Sequence, residues 1–520
     1  MNLDTLLKNA AARFSERTAI EEGTRARTFA EIDDRISRLG HALISMGMGK
    51  GDRIASLQNN SIETFEFDLM AARFGFVRTL LNARYGPEEF CYALNHCRAR
   101  VLVFQEAFTV LVDSLRRDLP HIEKFICIGT GRLPAWAEGY EALLAAQAAL
   151  PVPYAVHEDD WHSIYYTSGS TGQPKGVVLS QRNWLVTVRN HMTGPLQRAC
   201  QDDVFLHAAP MSHASGAMAL THYVVGARQI VMPRFDAKGV LEAIAEQGVT
   251  TTFLAPTMIR MLLQHADHDR YDRPRLHTVV YGGAPMLAEH LREALQKWGT
   301  VLVQGYGLWE APQLFIYLNQ AEHAKALEPG FEHRLAAAGV PSYFCSVAIM
   351  NDEGELLGHG QEGEVVTAGD HVMVGYLDNP EATAAIRHGA WQRTGDVGKM
   401  DKDGFLYLTD RKKDIIITGG SNVYPREVEE VLSRHPHVLE AIAVGVPDIQ
   451  WGERVHAVVV AKPDSSFSAD AFLAWCRDNL SKDKRPRSVD CVAELPKSSY
   501  GKILRREVRQ QYWEAAGRRI

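Results

Sequence analysis

Apolar residues recur at helical spacing over 3–14 and again over 29–47, with polar residues filling the turns between them. The next run, Asp52-Arg53-Ile54-Ala55-Ser56-Leu57, predicts a short strand. The alternation continues with a helix over 61–75, a strand at Thr79-Leu80-Leu81, a helix over 87–97 and a strand at Val101-Leu102-Val103-Phe104. Strands alternating with helices predict crossover connections and a mostly parallel sheet covered by helices. Residues 130–160, rich in Pro and Ala, predict a loop with one helix. Two apolar runs, Ser163-Ile164-Tyr165-Tyr166 and Val177-Val178-Leu179, then flank a polar, glycine-rich stretch.

Four predicted strands follow, and each runs into a chemically loaded loop. Val204–Ala209 leads into Pro210-Met211-Ser212-His213, and Val249–Leu254 into Ala255-Pro256-Thr257. His277–Val280 ends in Tyr281-Gly282-Gly283-Ala284-Pro285, and Val301–Gln304 in Gly305-Tyr306-Gly307-Leu308-Trp309-Glu310. Ligands of open α/β sheets collect at the carboxyl ends of strands, so the four loops together mark a site better than any one does. From Gly339 the pattern shortens to runs such as 346–349 and 363–366, with Asp403-Gly404 as a hairpin turn, which predicts an antiparallel, barrel-like unit. Beyond a charge run at Asp410–Asp414 come strands at 415–417, 438–445, 454–462 and 488–493, with helices from Pro425 and over 468–480. The predicted architecture is α/β. A large N-terminal domain (1–410) of helix-covered, mostly parallel sheets carries a small antiparallel barrel-like subdomain, and a small α+β domain (411–520) follows.

Composition narrows the class. A chain of 520 residues exceeds one typical domain. The net charge of −7 disfavours general nucleic-acid binding, although the tail from Ser481 is locally basic. The seven cysteines are scattered without a CxxC pair, which suits a reducing compartment and gives no zinc-ligand spacing. The first eight residues lack a charged-then-apolar signal layout, and no apolar run approaches membrane-spanning length. A cytoplasmic protein without integral membrane association is expected; oligomeric state is not legible.

The loop between the two flanking strands is Thr167-Ser168-Gly169-Ser170-Thr171-Gly172-Gln173-Pro174-Lys175-Gly176. Such a loop can turn backbone N–H groups inward and add hydroxyl donors and a cation, a set suited to polyphosphate. It is not a Walker loop, whose glycines are spaced more widely and whose lysine follows a glycine. A plain polar surface loop is the alternative reading of composition alone. The order of residues resembles the phosphate loop of the adenylate-forming superfamily, which comprises acyl-CoA synthetases, adenylation domains of peptide synthetases and luciferases.

The resemblance extends over nearly the whole chain, in order and spacing. It implies that Thr167, Ser168, Gly169, Ser170, Thr171, Gly172 and Lys175 serve the phosphates. Gly282, Gly283, Ala284 and Pro285 would lie along the adenine. Tyr306 with Gly307 would stack on its ring, and Glu310 would hold Mg²⁺ through oxygen ligation. Asp396, in Thr394-Gly395-Asp396, would accept from the ribose hydroxyls, with Arg411 near ribose and phosphate and Lys413 as the pivot of a mobile C-terminal lid. Lys502 would place a cation between carboxylate and α-phosphate, lowering the barrier to bringing two anions together. Gly419 and Gly420 would line a pantetheine tunnel, and Trp451, Arg84 and Arg485 match residues that meet CoA in some aryl-CoA ligases. His213 would gate the acyl pocket, with Ser215, Gly216, Met218, Tyr281, Trp309 and Gln313 as further pocket candidates. One position departs from the pattern: Trp309 stands where Thr or Ser is usual, so an indole N–H replaces a hydroxyl.

The implied function is an AMP-forming acyl-CoA synthetase that takes an aromatic or medium-chain carboxylic acid, ATP, Mg²⁺ and CoA. Two alternatives stay open at the level of sequence. One is transfer of the acyl group to a carrier-protein thiol. The other is a nucleotide- or acyl-binding protein that has lost catalysis, with Trp309 as the lesion.

Overall fold

The computed structural model describes residues 2–131, 133–167, 174–284, 286–418, 421–449, 451–463, 465–482, 484–497 and 503–515. It divides into two compact units: Met1–Ser346 with Thr367–Gln392, and Val347–Val366 with Arg393–Ile520.

The first unit carries two sheets. In one, the parallel strands Arg228–Val231, Val204–His207, Thr251–Leu254, Thr278–Gly282 and Leu302–Leu308 lie side by side. Ala311–Leu318 then folds back antiparallel onto Leu302–Leu308. In the other, Val101–Gln105, Arg53–Leu57, Val77–Leu81 and Trp161–Thr167 are parallel neighbours. Lys175–Ser180 pairs antiparallel with Trp161–Thr167, and Gly375–Tyr376 adds antiparallel to it. The mostly parallel, helix-covered sheets expected from the helix–strand alternation are present, with antiparallel strands at the edges where the site loops lie.

Local sequence explains the helices that cover these sheets. Helix Ile62–Phe74 starts at Ser61, whose side chain accepts from the Thr64 N–H, and stops at Gly75 with φ +64. Nearly all its side chains are buried, so the helix is covered on every side, and its buried Glu63, Glu66 and Arg73 are ion-paired with Arg25, Arg35 and Asp4. Its Phe65 meets Tyr223 at 5.6 Å in a core shared with Phe29, whose ring centroid lies 4.7 Å from that of Tyr223.

The second unit includes an antiparallel pair, most of whose first strand, from Arg393 on, belongs to it. Trp391–Met400 pairs with Leu406–Arg411 across the Asp403-Gly404 turn, where Gly404 takes φ +84. A further sheet is built on the long antiparallel pair Val438–Asp448 and Gly452–Ala461, with Ser488–Val492 parallel to the latter. Helices Pro425–Leu432, Ala469–Asn479 and Arg505–Ala515 accompany it. Arg505 ties the unit internally by pairing with Asp410 at 3.1 Å and Glu429 at 2.6 Å. Among the described residues no helix is long and apolar enough to cross a membrane.

Candidate active site

The glycine- and hydroxyl-rich loop is the connection of an antiparallel pair, since Thr167 stands opposite Lys175 in the ladder. Ser168, Gly169, Ser170, Thr171 and Gly172 lie outside the described residues, as do Pro285, Gly419, Gly420 and Lys502. The loop's two described ends are held firmly. The Tyr92 hydroxyl donates to the Pro174 carbonyl at 2.9 Å, and Tyr92 packs edge-on against Tyr166. The Tyr166 hydroxyl in turn lies 2.9 Å from His96 Nδ1.

Lys175 extends its ammonium to 4.8 Å from the ring centroid of Tyr376. The Tyr376 hydroxyl donates to Glu310 Oε1 at 2.9 Å. Burial and the adjacent carboxylate push the phenol pKa far above its ordinary value, so it stays a donor. The Glu310 backbone is pinned as well: its carbonyl accepts from Gln392 Nε2 at 2.7 Å and from the Met373 N–H at 3.0 Å. Tyr376 was not singled out by the sequence reading. Its one signal is a polar-tipped aromatic in an apolar edge segment, Val372-Met373-Val374-Gly375-Tyr376-Leu377.

Trp309 sits beside Glu310 in chain and stacks flat on Tyr165, with centroids 3.6 Å apart and planes at 10°. His213 meets the same indole edge-on at 5.6 Å. Beneath Tyr165 lies Arg78, which donates to the Tyr165 hydroxyl at 2.7 Å, faces its ring at 5.1 Å and faces the Trp184 ring at 5.4 Å. Burial opposes the Arg78 charge, but Asp68 and the Tyr165 oxygen outweigh it, so the guanidinium pKa is raised and Arg78 pairs with Asp68. An unbroken column therefore runs from Trp184 through Arg78 and Tyr165 to Trp309 and His213. Burial lowers the His213 imidazole from 6.5 to about 3, which leaves a neutral ring; Ser212 Oγ lies 3.1 Å from its Nδ1.

The other predicted pocket residues lie on helix Ala214–Val224 and on strands Thr278–Gly282 and Ala311–Leu318. Ser215 is fully buried and bonded to His207 Nδ1 at 2.8 Å, and Met218 is fully buried in the core under the nine-stranded sheet. At Gly216 an added Cβ would fall 1.8 Å from the Met211 carbonyl oxygen, so this glycine lets helix and loop backbones touch. The Tyr281 hydroxyl is engaged by Gln304 at 2.9 Å and His323 at 3.0 Å. Gln313 belongs to strand Ala311–Leu318.

Gly282 ends its strand where a Cβ would lie 2.3 Å from the Gly305 carbonyl oxygen, bringing the two site loops into backbone contact. Gly283 and Ala284 continue that loop at the surface. Tyr306 packs on Phe315 at 5.2 Å, and Gly307 is exposed. In the second unit Asp396 is buried and paired with Arg411 Nε at 3.2 Å, and Lys413 is exposed. There too the Arg487 guanidinium lies 5.0 Å from the Trp451 ring, and the Arg485 N–H bonds the Ser481 carbonyl. Arg84, back in the first unit, is exposed on a turn whose N–H bonds Asn82 Oδ1 at 3.1 Å.

Comparison with known proteins gives this arrangement its family. Residues 7–377 match the AMP-binding enzyme family, and residues 427–502 match the AMP-binding enzyme C-terminal domain. The chain is an AMP-binding enzyme. A feruloyl-CoA synthase of an Amycolatopsis species is 36% identical over 497 residues, covering 95% of this chain and 96% of that protein. A medium/long-chain-fatty-acid–CoA ligase of Mycobacterium tuberculosis is 32% identical over 536 residues, covering 99% and 91%. Among solved structures, the amide bond synthetase McbA of Marinactinospora thermotolerans superposes with a TM-score of 0.89 at 30% identity, covering 98% of this chain and 99% of that one. The family places the chain in the acyl-CoA synthetase branch of the adenylate-forming enzymes, as an AMP-forming carboxylate–CoA ligase. Enzymes of this branch use ATP, Mg²⁺ and CoA.

Proposed function

We propose that this ligase activates an aromatic or medium-chain carboxylic acid rather than a long-chain one. The supporting observation is the column that ends in Trp309 and His213: a flat, braced indole and a neutral imidazole form an apolar, aromatic wall next to Glu310. A braced indole fills space that a threonine would leave open to an acyl chain, and it offers a π surface to an aryl one. The kinship with a feruloyl-CoA synthase points the same way.

In the first half-reaction a carboxylate oxygen attacks the α-phosphorus of ATP, and pyrophosphate leaves. Lys502 lowers the repulsion between the two anions, and the hydroxyls and N–H groups of 167–172 with Lys175 hold the phosphates. Among the described residues no group of three or more His, Cys, Asp or Glu could hold a metal ion. Glu310, fixed through one carboxylate oxygen by Tyr376, fits Mg²⁺, an ion that takes one or two carboxylates together with substrate phosphates and water. Mg²⁺ would supply charge neutralisation there. Asp396 accepts from the ribose hydroxyls, with Arg411 beside it. The lid, residues 411–520, then turns about Lys413, and the CoA thiol attacks the acyl carbonyl so that AMP leaves. Trp451, Arg485 and Arg84 meet the nucleotide end of CoA, and Gly419 and Gly420 its pantetheine arm.

A panel of carboxylic acids in ATP–pyrophosphate exchange, followed by CoA thioester formation, tests this reading. Aromatic acids turning over best supports it, and robust turnover of palmitate-length acids overturns it. Offering a carrier-protein thiol and a simple amine in place of CoA tests the acceptor. Preference for either over CoA would redirect the second half-reaction.

A further inference from the structure

Tyr376 contacts two groups assigned to the phosphate chemistry, the Lys175 ammonium and the Glu310 carboxylate. Its strand pairs with Lys175–Ser180 in a register that sets Tyr376 against Val177, and Val177 shares a strand face with Lys175. The backbone there cannot drift. The Leu377 N–H bonds the Gly176 carbonyl at 2.7 Å, the Val374 N–H bonds the Val178 carbonyl at 2.9 Å, and the Tyr376 N–H bonds Thr383 Oγ1 at 2.9 Å. On the other side the Met373 N–H bonds the Glu310 carbonyl at 3.0 Å. The ring thus stands at a fixed place relative to both Lys175 and Glu310. Its π surface faces the ammonium, and its hydroxyl takes Glu310 Oε1.

We propose that Tyr376 is a positioning residue for the metal-bearing end of ATP: its hydroxyl sets the direction of the Glu310 carboxylate, and its ring sets the place of the Lys175 ammonium. This rests on the assignment of Glu310 to Mg²⁺ made above. The physical reason is that a carboxylate and an ammonium in one site neutralise each other unless something holds them apart. One aromatic ring contacts both without removing either charge. With Oε1 engaged by the phenol, Glu310 keeps one defined orientation, and the cost of ordering it is met before substrate arrives. Hydrogen bonds of this kind to a metal-binding group commonly govern metal affinity by about ten- to a hundredfold.

The test separates hydroxyl from ring by measuring equilibrium binding of ATP calorimetrically, with Mg²⁺ and with chelator, in the absence of any carboxylic acid. Tyr376→Phe keeps the ring and is expected to raise the Mg²⁺ concentration for half-maximal Mg·ATP binding about tenfold. Its affinity for Mg-free ATP stays within about twofold of the parent chain, because the surface facing Lys175 is retained. Tyr376→Leu removes both features and is expected to weaken Mg-free ATP binding as well. In a Glu310→Gln background, adding Tyr376→Phe should change the Mg²⁺ requirement no further. An unchanged Mg²⁺ requirement in Tyr376→Phe overturns the proposal. So does equal weakening of Mg-free and Mg·ATP binding, the mark of a purely structural tyrosine. Glu310→Gln separates the two levels: if it leaves the Mg²⁺ requirement untouched, the metal assignment of Glu310 falls and this proposal with it. If Glu310→Gln raises the requirement and Tyr376→Phe does not, the proposal alone falls.

Discussion

Replacing Trp309 by Thr restores the residue type usual in the family and tests how far one indole sets the acyl preference. The indole is half-buried and stacked at 3.6 Å on Tyr165, so its loss removes one full face of ring contact. Removing a fully buried aromatic costs about 3–5 kcal/mol; a half-buried one replaced by Thr should cost about 2 kcal/mol in unfolding free energy. The vacated volume is apolar, and each methylene buried there is worth about 0.8 kcal/mol, close to fourfold in kcat/KM. An acid that places three more carbons into the space should therefore gain roughly fiftyfold. Aryl acids should lose, because the flat partner surface is gone. The assay is kcat/KM for straight-chain and aromatic acids of graded length with ATP and CoA, measured alongside urea unfolding. If stability falls by the expected amount while the length profile stays put, Trp309 is only a packing residue and the wall argument fails.

Three further outcomes follow from the same geometry and assignments. Lys502→Ala should abolish adenylate formation while leaving thioester formation from supplied acyl-AMP largely intact; equal loss of both half-reactions would count against a cation that serves one step. Trp451→Ala should raise the KM for CoA and spare pyrophosphate exchange, and an unchanged KM would leave its ring as nothing more than the surface that Arg487 covers. The fully buried imidazoles of His191 and His207 are each lowered by burial to about 3, from an ordinary value near 6.5. Above 6.5 both states are neutral and stability is fully present. As pH falls below 6.5 the unfolded chain takes up the protons first, so about 2 kcal/mol per histidine is lost by pH 5. Urea unfolding that shows flat stability from pH 7 to 5 would refute this.

Much of the fold could be read from local pattern. The strand expected over 52–57 is Arg53–Leu57, the helix over 61–75 is Ile62–Phe74, and Asp403-Gly404 is a hairpin turn between antiparallel strands. What pattern could not supply is pairing between distant segments. Thr18–Glu22 runs parallel to Arg228–Val231, and Gly375–Tyr376 completes the edge beside Lys175–Ser180. Neither strand announces its partner, because period-two alternation gives a face and not a neighbour. The same limit applies to the pocket. Helix Ala214–Val224 is buried over nearly every residue, so no periodic stripe told which face meets an acyl group. On that helix Ser215 and Met218 are both fully buried, Ser215 against His207.

The exchange at position 309 is best judged by what surrounds it. A bulky residue substituted into a site that had lost its use would find no partner prepared for it and would leave neighbouring polar groups stranded. Here the indole meets a tyrosine face in parallel contact, and that tyrosine is gripped by a buried guanidinium whose charge Asp68 offsets. Arg78 is in turn covered by Trp184, whose Nε1 donates to Ser163 Oγ at 3.0 Å. Tyr165, Arg78, Asp68 and Trp184, from four separate segments, would have to be placed together by accident to support a lesion. The buried Arg78, paired with Asp68 and hydrogen-bonded to the Tyr165 hydroxyl, holds the aromatic faces in one orientation, which a selective wall requires and a bystander does not. A braced indole of this kind is what the proposed acyl wall requires, and its prepared partners favour a working site over a lesion.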